Sequence, residues 1–207
     1  MIEYLDRLPL IAILRGITPG EVVPIGARLV DAGFAIIEVP LNSPAPLESI
    51  RLLHEAFGGT TLIGAGTVMT AAQIHEVEAA GGRLIVMPHG NPEVIRAAKA
   101  ANLQCIPGIV TPTEGFTALA NGADALKLFP AELLTPTVLS AMRCVFPDST
   151  RFIPVGGITP ASMKSYVSAG ASGFGLGSAL YRAGDTPESV ATKAHAFVDA
   201  WHSLGTM

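Results

Sequence analysis

Hydrophobic residues in this chain gather in eight short runs, separated by longer stretches in which apolar residues recur at helical spacing. The runs are Leu10–Leu14, Ile36–Val39, Leu62–Ala65, Leu84–Met87, Cys105–Pro107, Leu126–Phe129, Ile153–Val155 and Phe174–Leu176. Each run is too short for a helix and nearly free of polar residues, which is typical of parallel strands covered on both faces. The pattern therefore predicts eight buried strands with a helix after each.

Capping residues mark where these helices begin and end. A hydroxyl or amide side chain can cap the first free amides, and proline fits the first helical position. Helix starts are therefore predicted at Thr18-Pro19, Ser43-Pro44, Asn91-Pro92, Thr111-Pro112, Thr135-Pro136, Thr159-Pro160 and Thr186-Pro187, and at Thr70 without a proline. Glycines that tolerate a positive φ predict helix ends at Gly33, Gly81, Gly122 and Gly170.

Eight strand–helix units with right-handed crossovers close into a (β/α)₈ TIM barrel. We predict a compact α/β barrel of this kind that forms a single domain over residues 1–207, since no linker or low-complexity segment interrupts the pattern. An open, doubly wound sheet is the alternative fold.

Composition narrows the class of protein. Hydrophobic residues make up 49% of the chain and charged residues 14%, a balance expected for a large core or a buried oligomer interface. The net charge of −4 argues against a nucleic-acid partner. The N-terminus lacks a secretion signal and no apolar run could cross a membrane, so we expect a soluble, cytoplasmic protein. The two cysteines, Cys105 and Cys144, are expected to be buried, reduced thiols.

Lys127 is the strongest chemical signal in the sequence. In a (β/α)₈ barrel the active site lies at the carboxyl ends of the strands, and Lys127 falls within the apolar sixth run. Burial disfavours the charged ammonium and lowers the pKa of a lysine, and a neutral amine is what a Schiff-base nucleophile requires. A lysine neutralised by a barrel carboxylate is the structural alternative.

Glu38 interrupts the second apolar run and is the matching acid. If both side chains point into the barrel, its carboxylate can shuttle protons to and from intermediates formed on Lys127. A buried salt bridge without chemistry is the alternative, although such a pair is costly to desolvate.

Other polar residues and glycines follow the remaining strands. Gly156-Gly157 and Gly177-Ser178 come after the seventh and eighth runs, where barrels of this type commonly bind phosphate. Arg15 and Thr67 are candidates for holding a substrate carboxylate, although Arg15 could instead pair with Glu38. No histidine or carboxylate cluster has metal-ligand spacing, so we expect no metal site.

Over almost its whole length the chain resembles the 2-keto-3-deoxy-6-phosphogluconate aldolase family of class I aldolases. The matching segments run from PLIAILRGI through IEVPLNSP, GAGTV and LKLFPAE to VGGITP and GLGSALY. The resemblance implies a lyase without cofactor or metal, and a phosphorylated keto-acid substrate cleaved to pyruvate and glyceraldehyde 3-phosphate. It also implies a homotrimer, with Lys127 as the Schiff-base lysine and Glu38 as the proton shuttle. The implied substrate-binding residues are Arg15, Thr67, Pro88, Phe129, Val155, Gly156, Gly157, Gly177 and Ser178.

Two positions bear on which substrate epimer is preferred. Val155 and Asn42 resemble the family's galactonate-type enzymes, whereas gluconate-type enzymes often carry Thr and Arg there. We therefore expect the galactonate epimer, in galactonate catabolism, with a gluconate or dual-epimer aldolase as the alternative. Rivals from other classes are a non-catalytic phosphosugar-binding barrel and a metal-dependent epimerase. His89, at the end of the fourth run, has no expected role.

Overall fold

The computed structural model describes residues 2–205, and this part of the chain contains nine strands and nine helices. The strands are β1 (Leu10–Ile13), β2 (Ile36–Pro40), β3 (Leu62–Gly66), β4 (Leu84–Val86), β5 (Gln104–Ile106), β6 (Gly108–Ile109), β7 (Leu126–Leu128), β8 (Phe152–Pro154) and β9 (Phe174–Leu176). The helices are α1 (Ile2–Arg7), α2 (Pro19–Asp31), α3 (Pro46–Phe57), α4 (Ala71–Ala79), α5 (Pro92–Ala100), α6 (Pro112–Ala120), α7 (Pro136–Arg143), α8 (Met163–Ser168) and α9 (Pro187–Ser203).

All eight predicted strands are present. The fifth strand continues beyond the predicted run as a second short strand, β6, and Pro107 separates it from β5. Proline has no N–H to donate to a sheet ladder, which accounts for the break at that residue. The first helix, α1, was not predicted from the sequence pattern.

Most helix starts are also confirmed, but two predictions were wrong. α3 begins at Pro46 rather than at Pro44, because the Ser43 hydroxyl accepts a hydrogen bond from the Gly16 N–H at 2.9 Å instead of capping a helix. α8 begins at Met163 rather than at Pro160. There Thr159 and Ser162 close a turn through hydrogen bonds to each other, which delays the helix by one turn.

The strands form a curled, parallel sheet in an α/β fold. Six strands pair in the order β5-β4-β3-β2-β1-β9 and three in the order β6-β7-β8, with every pair parallel. Only Pro107 separates the two groups at one side, and a bridge between Val155 and Gly175 joins them at the other.

Alternation along the strands produces two apolar layers. One layer lies between the sheet and the helices and holds most of the buried residues. The second lies on the opposite, concave face and consists of Leu5, Ile11, Ile13, Ile36, Leu62, Leu84, Val86, Ile106, Ala125, Ile153 and Val155. Because strand side chains alternate between faces, Glu38 follows Ile36 and Lys127 follows Ala125 on this inner face.

The two cysteines differ. Cys105 is buried, and burial raises the pKa of its thiol to about 12, so it is unreactive. Cys144, at the end of α7, is exposed, which makes the prediction of a second buried thiol wrong. The helices within residues 2–205 include none that is both long and apolar enough to span a membrane.

Candidate active site

Lys127 lies in the middle of β7 with only 6% of its surface exposed. Its ammonium nitrogen stands 4.6 Å from the centre of the Phe129 ring. Lys99 and Lys193 instead form ion pairs, at 2.7 Å with Asp124 and 2.6 Å with Asp185. No carboxylate of residues 2–205 comes within 4.0 Å of the Lys127 nitrogen, so this lysine is not held as a structural ion pair.

The surroundings of Lys127 favour its neutral form. Burial is the largest cause and lowers the pKa of the ammonium, and the positive charge of Arg15 lowers it further. The negative charge of Glu38 acts in the opposite direction but does not outweigh burial. A buried amine with a lowered pKa can attack a carbonyl carbon at neutral pH.

Glu38 lies in β2, opposite Ile13 of β1 and Gly64 of β3, and is 2% exposed. Its Oε2 atom has no hydrogen-bond partner among the described residues. Burial raises the pKa of the carboxyl to about 7, against the lowering effect of the Lys127 and Arg15 charges. A carboxyl group with a pKa near 7 can both give and take a proton under physiological conditions.

Gly66 makes room for this carboxyl group. It ends β3 directly beside the Glu38 side chain, and a Cβ atom at this position would overlap the carboxylate oxygens. The second glycine of the GAGTV segment is therefore required for steric reasons, which the sequence alone did not reveal.

Arg15 follows β1 and donates a hydrogen bond from Nη1 to Asn42 Oδ1 at 2.7 Å. Arg15 does not form an ion pair with Glu38 within residues 2–205, because no guanidinium nitrogen of Arg15 lies within 4.0 Å of a Glu38 carboxylate oxygen. The guanidinium still lowers the pKa of both Glu38 and Lys127, so its charge reaches the centre of the site.

A cleft of about 850 Å³ opens above Lys127 at the carboxyl ends of the strands. Most of the predicted site residues line it, namely Arg15, Lys127, Phe129, Val155, Gly156, Gly157, Gly177 and Ser178. Sequence reasoning missed Glu132 and Arg182, which also line the cleft. Glu132 is the last residue of the quoted LKLFPAE segment, so the motif contained a signal that was not used.

Three predicted site residues, Glu38, Thr67 and Pro88, are not among the residues that line this cleft. Thr67 directly follows Gly66 and has a φ of 57°, a backbone conformation that is rare for a β-branched residue. Pro88 follows β4, and its carbonyl oxygen packs against Gly108, the strand partner of Lys127. His89 comes next, and its Nδ1 is buried without a hydrogen-bond partner among the described residues.

The first of the two predicted glycine turns, Gly156-Gly157, has a backbone conformation suited to an anion site. Gly156 and Gly157 adopt φ values of 110° and 62°, which side-chain-bearing residues rarely adopt. The Glu132 side chain packs against both glycines: a Cβ atom on Gly156 would collide with its carboxylate, and a Cβ atom on Gly157 would lie 3.1 Å from its Cγ. Consecutive glycines leave their backbone N–H groups open to an anionic ligand. Within residues 2–205 no group of His, Cys, Asp or Glu side chains could hold a metal ion.

These features define an α/β protein with a buried lysine and a buried glutamate at the carboxyl ends of parallel strands. Residues 1–191 match the family model described as KDPG and KHG aldolase. The chain belongs to this family. It is 45% identical over 199 residues to the 2-dehydro-3-deoxy-6-phosphogalactonate aldolase of Escherichia coli (strain K12), covering 96% of this chain and 97% of the relative.

Two solved structures have the same fold as this chain. A structure described as native KDPGal has a TM-score of 0.94 at 45% identity and covers 96% of each chain. The KDPG aldolase of Legionella pneumophila has a TM-score of 0.81 at 27% identity, covering 98% of this chain and 97% of the other. That structure contains pyruvate captured at low pH as a covalent carbinolamine intermediate.

Proposed function

We propose that this protein is a class I aldolase that cleaves 2-dehydro-3-deoxy-6-phosphogalactonate into pyruvate and D-glyceraldehyde 3-phosphate. The observation that carries the proposal is the buried, unpaired Lys127 on the same inner face as Glu38. The E. coli relative bears the name of this activity.

In the proposed mechanism the neutral Lys127 amine attacks the C2 carbonyl of the substrate. The carbinolamine loses water to give an iminium ion, and Glu38 protonates the departing hydroxyl. Glu38, now a carboxylate, accepts the C4 hydroxyl proton as the C3–C4 bond breaks, and the bond electrons pass to the iminium to form an enamine. Glyceraldehyde 3-phosphate leaves, the enamine is protonated at C3, and water releases pyruvate from Lys127.

The other site residues have binding roles in this proposal. Arg15 and Thr67 hold the substrate carboxylate, Pro88 and Phe129 pack against the reacting carbons, and the glycine turns with Ser178 bind the phosphate. Charge-assisted hydrogen bonds to these anionic groups supply orientation as well as affinity. No metal or organic cofactor is needed, because the iminium itself serves as the electron sink.

Trapping with pyruvate and borohydride tests the Schiff base. We expect one reduced pyruvate adduct per chain, mapped to Lys127 by peptide mass spectrometry. Lys127→Ala should form no adduct and lose more than about 10⁴-fold in kcat. Lys164→Ala, which changes an exposed lysine on α8, should retain full activity. An adduct on another lysine, or substantial turnover by Lys127→Ala, would contradict the proposal.

Epimer preference is tested with the two purified C4 epimers. Val155 is a buried residue of the cleft and presents no hydroxyl group there. We expect a higher kcat/KM for the galactonate epimer, and we expect Val155→Thr to reduce the difference. Equal kcat/KM values for both epimers would instead support the dual-epimer alternative.

We also propose that the strands close into one (β/α)₈ barrel that forms a single domain. The Val155–Gly175 bridge and the inner apolar layer, which includes residues of β1 and β8, support this closure. A closed barrel has no free sheet edge, and its interior is filled by side chains in layers.

We propose that the protein forms a homotrimer and that it acts in the cytoplasm. Exposed apolar side chains follow three strands on the active-site end, namely Met69 after β3, Val110 after β6 and Leu133 after β7. Light scattering should give three times the 21.4 kDa of one chain. Leu133→Asp should lower this mass, because burying an unpaired carboxylate in an interface is costly.

A further inference from the structure

We propose that Arg182 is the cation that recognises the phosphate group of the substrate and sets the preference for phosphorylated over unphosphorylated aldehydes. The inference rests on the proposed aldolase function and adds a specificity-determining residue to it. Arg182 was not among the residues predicted from the sequence.

The position of the guanidinium is fixed by the turn that follows β9. Its Nε donates a hydrogen bond to the Ser178 carbonyl oxygen at 3.0 Å, which places the group beside the Gly177-Ser178 turn in the cleft. The Arg182 backbone N–H donates to Asp185 Oδ2 at 2.8 Å, and this tie holds the segment in place.

The two terminal nitrogens of Arg182 have no hydrogen-bond or ion-pair partner among the described residues. Asp185, the nearby carboxylate of this segment, is already paired with Lys193 at 2.6 Å. A guanidinium with Nε engaged and both terminal nitrogens free can still donate two parallel hydrogen bonds to a phosphate.

The charges in the cleft give Arg182 its role. The acidic and basic residues that line it are Arg15, Lys127, Arg182 and Glu132. Arg15 is bonded to Asn42 on the β2 side, and Lys127 is needed as a neutral nucleophile. Glu132 packs against Gly156 and Gly157, so an anion bound there meets a carboxylate. Arg182 is therefore the cation placed to offset that repulsion for a phosphate dianion.

The test runs the reaction in the direction of synthesis, with pyruvate and either D-glyceraldehyde 3-phosphate or D-glyceraldehyde. Arg182→Ala should reduce kcat/KM for the phosphorylated aldehyde by about 10- to 100-fold, chiefly through KM. It should change kcat/KM for D-glyceraldehyde by less than about twofold. Arg182→Lys, which keeps the charge but loses the planar fork, should fall between the wild type and Arg182→Ala.

Arg96→Ala is the matched control. Arg96 lies on α5 and donates to Asn121 Oδ1 at 2.6 Å, outside the cleft, so neither aldehyde should be affected. Equal losses on the two aldehydes in Arg182→Ala, or no loss on either, would overturn the proposal.

Binding of inorganic phosphate separates this inference from the proposed function. If the wild type makes no product from either aldehyde, the aldolase proposal has failed, but calorimetry with phosphate still tests Arg182. A Kd for phosphate at least tenfold weaker in Arg182→Ala supports the inference. Unchanged affinity, or no phosphate binding by the wild type, overturns it.

Discussion

Burial changes the acidity of the Glu38 carboxyl group. Its pKa of about 7 in the folded protein lies above the ordinary value of 4.5. Between these two values the folded protein keeps a proton that the unfolded chain has released. The stability that this group contributes is therefore present below pH 4.5 and is lost as the pH rises through about 7.

Glu38→Gln should remove this pH dependence. The free energy of unfolding of the wild type should fall between pH 5 and pH 8 by roughly 2–3 kcal/mol more than that of Glu38→Gln. Urea denaturation at the two pH values measures the difference. Glu76→Gln, which changes an exposed carboxylate on α4, should keep the wild-type pH dependence. Parallel pH profiles for the wild type and Glu38→Gln would show that Glu38 titrates normally.

At Gly66 a single additional carbon atom would displace the Glu38 side chain. Gly66→Ala places a Cβ atom on the Glu38 carboxylate, so the side chain must leave its position. We expect a loss of about 100-fold in kcat, the usual contribution of one general acid–base group, measured by a coupled pyruvate assay. Gly59→Ala, where a Cβ atom meets nothing within 4 Å, should remain active. Full activity in Gly66→Ala would mean that Glu38 does not need this position.

At the scale of elements, the segments after β1 and β2 are joined by two adjacent hydrogen bonds. Arg15 Nη1 donates to Asn42 Oδ1 at 2.7 Å, and the Gly16 N–H donates to Ser43 Oγ at 2.9 Å. The residues in each pair are 27 positions apart in the chain. These contacts hold the Arg15 guanidinium where its charge lowers the pKa of both Glu38 and Lys127.

Asn42→Ala should release Arg15 and so change two measurable properties. KM for the keto-acid substrate should rise about three- to tenfold, because one hydrogen bond to a charged group is lost. Both limbs of the pH–rate profile should move to higher pH, because the positive charge that lowers the two pKa values has moved away. Asn121→Ala removes the similar bond to Arg96 outside the cleft and should change neither property. A rise in KM without the shift in pH would argue against control of Arg15 by Asn42.

The sequence predicted the elements well where local chemistry decides them. Thr70 and Thr111 cap α4 and α6 through hydrogen bonds with residues three positions later, as their sequence pattern indicates. The prediction at Ser43 was wrong because its hydroxyl is bonded to Gly16 of another segment. A contact between residues distant in sequence is not visible in a local pattern.

At the scale of the whole molecule, the junction between β8 and β9 joins the two groups of strands. Gly175 pairs with Val155 at this junction, and a Cβ atom on Gly175 would lie 2.6 Å from Val155 Cγ2. Gly175→Val should therefore destabilise the protein by about 1–3 kcal/mol through overpacking, measured by urea denaturation. Gly20→Val, at an open position in the first turn of α2, should cost less. Equal stability of the two variants would show that the junction is loosely packed.

The sequence by itself predicted the strands and most of the helices, and it singled out Lys127 and Glu38 as the two candidate reactive residues. It did so because periodicity, caps and a lysine or glutamate inside an apolar run are local features of the chain. Only the tertiary structure decided that Glu38 and Lys127 share the inner face without pairing, that Gly66 leaves room for the carboxyl group, and that Asn42 binds Arg15. The tertiary structure also decided that Arg182 lies in the cleft, because charge and burial at a site depend on strands that are far apart in the chain.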